Sequence, residues 1–142
     1  MERSVRCAAT AAASLVAIAF VSTPAFAQGK GGAATATTHV RIVADKFVVV
    51  DQHPITVLKG DKTGRIVWEL PPKPSPWRFE GDSIAIDGGQ FFGCHVEASG
   101  QRYVCTDRSP RTTALYPYRV TVYQGDRANA RSLHVDSAVQ NE

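Results

Sequence analysis

The sequence predicts an all-β protein, an antiparallel β-sandwich of about seven to nine short strands that follows a cleaved leader. Three observations predict it. From residue 38 onward, short runs rich in Val, Ile, Thr and aromatic residues alternate with clusters of Gly, Pro, Asp and Lys. No segment after residue 27 repeats its apolar residues with the period of a helix. Two cysteines stand at a spacing that fits one hairpin.

The leader is residues 1–27. Arg3 and Arg6 make a positive start, and residues 7–21 follow without a charge. Ser22, Thr23 and Pro24 break the apolar run. Ala25-Phe26-Ala27 then presents the small-x-small pattern that a signal peptidase admits. At about 1.5 Å per residue the apolar run falls short of roughly 30 Å of hydrocarbon, so it reads as cleaved rather than spanning. Cys7 precedes the run, which leaves no lipid-attachment cysteine after it. The expected location is periplasmic or secreted. A chain starting at Gln28 has 115 residues, one domain's worth. Its 14 Lys and Arg against 12 Asp and Glu are too balanced to suggest a nucleic-acid partner. No second apolar segment is long enough for a stable membrane span.

Residues 28–37, mostly Gly, Ala and Thr, read as a flexible lead-in. The sandwich domain is expected over residues 38–137, with residues 138–142 as a C-terminal tail. Residues 39–44 place Val40, Ile42 and Ala44 on one face. Residues 47–51 are Val-rich, and residues 55–58 form another run after His53-Pro54. A turn cluster covers residues 59–64. Residues 65–70 alternate, with Ile66, Trp68 and Leu70 inward and Arg65 and Glu69 outward. Residues 71–76 carry four prolines and read as a stiff connection. Short runs at residues 77–79 and 83–86 precede a turn at Asp87-Gly88-Gly89. Residues 106–113 form a polar loop. Residues 116–123 alternate with Tyr118, Val120 and Val122 on one side, and residues 130–135 supply an edge strand.

Cys7 leaves with the leader, so Cys94 and Cys105 remain as a pair for an oxidising compartment. A two-residue turn at Ser99-Gly100 pairs Glu97 with Arg102, Val96 with Tyr103, His95 with Val104, and Cys94 with Cys105. An ion pair and an apolar pair thereby fall opposite each other. The spacing predicts a cross-strand disulfide, and it lacks the Cys-x-x-Cys form of a redox-active pair.

The run Ile55-Thr56-Val57-Leu58-Lys59-Gly60-Asp61, followed by Ile66-Val67-Trp68, resembles the cupredoxins, small exported β-sandwiches that hold copper. The resemblance implies their fold. It does not carry over their copper site: no His lies between Pro71 and Phe79, no His or Met follows Cys105 closely, and the only methionine is Met1. Bridged cysteines also leave no thiolate for copper. An immunoglobulin-like sandwich fits equally, with Trp68 in its core.

No catalytic constellation, metal-ligand spacing or cofactor fingerprint stands out. Gly81-Asp82-Ser83 echoes the start of an esterase motif, but a nucleophilic serine sits on a strand-to-helix turn that this chain does not supply. His39, His53, His95 and His134 show no paired ligand spacing. Arg102, Arg108 and Arg111, with Arg119, are candidates for a basic patch toward an anion. Trp77, at the end of the proline stretch, is a candidate recognition aromatic. The leading expectation is a non-enzymatic β-sandwich without a cofactor. It would bind a protein or small ligand of the cell envelope through its end loops, at residues 71–77 and 106–113. The alternatives are a periplasmic metal-binding protein that uses surface histidines, and a small hydrolase that uses Ser83.

Overall fold

The structure, a computed structural model, describes residues 34–58, 63–108 and 113–142. The expected leader, residues 28–33 of the lead-in, and Arg111 lie outside the described residues. Among the described residues ten strands form two sheets. They are β1 (Ala34–Val43), β2 (Phe47–Val50), β3 (Ile55–Val57), β4 (Gly64–Glu69) and β5 (Trp77–Arg78). Then follow β6 (Ile84–Ile86), β7 (Phe91–Glu97), β8 (Arg102–Asp107), β9 (Leu115–Gln124) and β10 (Arg131–Asn141). One sheet has the order β2-β1-β4-β8-β7. The other runs β3-β10-β9-β5, with β6 also paired to β9.

The alternation read along β4 and β9 is what the two sheets bury between them. Ile66, Trp68 and Leu70 face inward from the first sheet, and Tyr118, Val120 and Val122 from the second; all are buried. Trp68 joins the layers. Its ring meets Tyr118 edge-on at 5.5 Å and Tyr103 at 6.3 Å. Such aromatic pairs add about 0.5–1.5 kcal/mol beyond area burial.

Four expectations are corrected. The sheets are mixed, not purely antiparallel: β1 runs parallel to β4, and β3 parallel to β10. β3 and β4, the strands before and after the turn cluster, lie in different sheets. The lead-in is shorter than expected, because residues 34–37 already pair with residues 64–67. Ala and Thr carry little apolar signal, yet Ala36 and Thr38 are small enough to be buried there. Finally, residues 138–142 are no tail, and residues 131–141 form no edge strand. β10 lies between β3 and β9, and Val139 and Asn141 are fully buried.

In the β7–β8 hairpin, Glu97 pairs with Arg102, Val96 with Tyr103 and His95 with Val104. The Gln101 N–H donates to Ala98 O at 3.1 Å, closing a turn around Ser99 (φ 53°) and Gly100 (φ 88°). Both central residues have positive φ, as a type I′ turn requires. A bulge with Gly93 at φ 62° separates Phe92 from His95. The Cys94 and Cys105 sulfurs are 2.10 Å apart across it, at bonding distance. The hairpin tip docks on the segment after β5, where Phe79 N–H donates to Gly100 O at 2.7 Å.

Candidate functional site

The outer face of the first sheet carries a row of charge set by strand register. His39 of β1 lies opposite Glu69 of β4, Glu69 opposite Arg102 of β8, and Arg102 opposite Glu97 of β7. Opposed residues share a face, so four positions far apart in sequence become neighbours. Arg102 bridges Glu69 (Nε to Oε1, 2.9 Å) and Glu97 (Nη1 to Oε2, 3.4 Å). Arg65 also donates to Glu97 at 3.0 Å, and His95 Nε2 lies 3.2 Å from the same carboxylate. The Gly93 carbonyl on Nδ1, together with Glu97, raises the His95 pKa above its ordinary value. Val67 and Val104 share this outer face yet are buried. Stems of long charged side chains shield such positions.

The row ends in a tighter cluster at β1. Asp51, just past β2, accepts from the Thr38 hydroxyl, the His39 N–H and the His39 ring, each at 2.8 Å. Burial opposes its charge, but these three donors hold the Asp51 carboxyl below its usual range. The second nitrogen of His39 faces Glu69 at 3.7 Å. One imidazole therefore sits between two carboxylates. Beside it a groove of about 500 Å³ opens, lined by His39, Val40 and Arg41 of β1, by Asp51, and by the chain from Glu69 to Pro72. That volume lies within the roughly 300–1,000 Å³ of ligand sites. Pro71 and Pro72 bring one end of the expected loop, residues 71–77, to this groove.

The other expected site residues are dispersed. Trp77 is buried, not an exposed recognition aromatic, because β5 turns it inward beside β9. Its indole N–H reaches Asp45 Oδ1 at 3.4 Å, and Arg131 lies over its ring at 5.6 Å. Arg108 caps the Phe92 ring at 4.5 Å. Arg119 makes a two-pronged bridge to Asp136 in the other sheet. The described arginines thus do not converge: Arg102 and Arg108 are about 20 Å apart at strand rise.

Ser83 is fully buried, and its hydroxyl accepts the Glu80 N–H at 2.7 Å. A nucleophile needs access to substrate, so this serine braces a turn instead. The histidines occupy separate places. His53 Nδ1 meets the Ser137 hydroxyl at 2.6 Å, while His134 projects from β10. Among the described residues no three His, Cys, Asp or Glu side chains form a group able to hold a metal ion. At His39 the two carboxylates lie on opposite ring nitrogens and do not aim at one point.

The His39–Asp51–Glu69 cluster has no signal in linear spacing. Antiparallel pairing of β1 with β2 and parallel pairing of β1 with β4 assemble it. Compared with protein-family models and with curated proteins, the sequence matches none.

Proposed function

We propose that this chain is an exported, non-enzymatic binding protein on a cupredoxin-like or immunoglobulin-like frame. Its ligand seats in the groove between β1 and residues 70–72. The observation that carries this reading is the groove itself. Its lining sets two prolines beside two carboxylates, an imidazole and Arg41. Specific sites commonly combine apolar walls with a few fixed polar groups.

Export rests on the leader at residues 1–27 and on the cross-linked cysteines, which suit an oxidising compartment. Among the described residues no helix is long and apolar enough to cross a membrane.

The test is retention of a partner from cell-envelope extract by the wild-type chain and by Pro72→Trp, which fills the groove. Retention that falls by about tenfold in the variant supports the reading, a loss equal to about 1.4 kcal/mol. Equal retention overturns it. Elemental analysis of untagged protein is expected to find no stoichiometric copper or zinc; one metal ion per chain would overturn it in favour of a histidine metal site.

A further inference from the structure

The groove lies where a strand of the first sheet loses its neighbour. Pairing of β1 with β4 stops at His39↔Glu69, while β1 continues to Val43. The direction of the backbone groups beyond that point can be read from their partners. His39 N–H donates to Asp51 Oδ1, His39 O accepts from Asp51 N–H, and Val43 O accepts from Lys46 N–H. The odd-numbered residues therefore turn their backbone toward β2. By strand alternation, Val40 and Ile42 turn theirs toward the groove.

On the far wall the donors are missing for a chemical reason. Leu70 N–H is spent on Gln101 O, toward β8. The next residue whose backbone would face β1 is Pro71, which has no N–H, and Pro72 has none either. Among the described residues no strand pairs with residues 40–43 on this side. The outcome is a short open strand edge that continues from the groove at Val40 and Arg41.

We infer that this groove binds an extended peptide, which adds as a strand beside residues 40–43 of β1. Main-chain hydrogen bonds to Val40 and Ile42 supply the docking, as in strand-addition recognition. The choice of peptide follows from the outward side chains of β1 at alternate positions. His39, flanked by Asp51 and Glu69, faces a basic side chain. Arg41 faces an acidic one. Val43, with Phe47 opposite it on β2 and both largely exposed, faces an apolar one. Side chains that share a face of neighbouring strands are spaced two residues apart. The recognised pattern is therefore basic-x-acidic-x-apolar, read in either chain direction. This inference rests on the groove reading above and names the ligand class for the same site.

The test is selection from displayed random peptides of about seven residues, a little longer than a typical strand. The target is the chain purified as the cell processes it. Enriched peptides are expected to carry the charged pattern. A synthetic representative should protect the Ile42 amide from hydrogen exchange by about tenfold. N-methylation of its two alternate docking amides should weaken binding by about tenfold or more. Glu69→Gln should weaken it by about fivefold, the scale of one ion pair.

No enrichment overturns the inference. So do peptides whose binding ignores N-methylation, or enrichment without the charged pattern. Protection of Ile42 that depends on protein concentration with no peptide present means that a second copy occupies the edge, which also overturns it. If peptides fail while Pro72→Trp still loses the envelope partner, the inference falls and the groove reading stands. If neither responds, both fall.

Discussion

Tyr103 shows how one side chain ties layers together. Its ring packs edge-on against Trp68 and Phe79, and its hydroxyl donates to Gly81 O at 2.8 Å. Tyr103→Phe should keep the packing and lose only that bond, about 0.5–1.5 kcal/mol in denaturant unfolding. Asp51 makes a pH-dependent contribution. Its folded pKa is depressed, against the opposing effect of burial, by donors from His39 and Thr38. Its stabilisation is therefore present above the unfolded value near 3.9, and it is lost as pH falls through the folded value. Unfolding free energies measured near about pH 7 and about pH 3 should differ less in Asp51→Asn than in wild type. An equal difference would show that these bonds do not depend on the charge.

At the scale of elements, the β7–β8 hairpin was the most legible part of the chain. Opposed residues in a two-residue hairpin follow from the turn position alone, so Ser99-Gly100 set the register of Glu97 with Arg102 and of His95 with Val104. The bulge at Gly93 was not legible, because an extra residue on one strand leaves no periodic trace. Gly100 is constrained twice. Its φ is positive, and an added Cβ would stand 2.9 Å from Arg78 Cβ and 3.2 Å from Phe79 O. Gly100→Ala should therefore cost more than the roughly 1 kcal/mol of a conformational penalty alone, read as a lower denaturant midpoint. The disulfide closes a loop with a separation of 11 residues, which the chain-entropy model values at about 3 kcal/mol. Among the described residues β7 is an edge strand with a neighbour on one side only. The double variant Cys94→Ala/Cys105→Ala should raise amide exchange in β7 first and leave β9 and β10 protected until global unfolding.

Across the whole molecule, the two ends of the described chain close the sandwich. β1 inserts between β2 and β4, and β10 inserts between β3 and β9, each through one parallel pairing. A chain that stops after Ser137 loses Val139 and Asn141, both fully buried. Removing one large buried aliphatic side chain costs about 2–5 kcal/mol, so this truncation should abolish cooperative thermal unfolding, as followed by circular dichroism. A cooperative transition in the truncated chain would mean that β3 holds without residues 139–141, its partners in β10.

By itself the sequence determined the all-β class, most strand positions, the inward faces of β4 and β9, and the partners within the hairpin. These depend on local periodicity and on turn chemistry, which act over a few residues. The tertiary structure decided the rest: the parallel pairings, the central place of β10, the burial of Trp77 and Ser83, and the dispersal of the arginines. It also assembled His39, Asp51 and Glu69, and left residues 40–43 of β1 with an open edge beside Pro71. Which strands become neighbours depends on how two sheets share one core. That choice is made by long-range packing, and no local pattern encodes it.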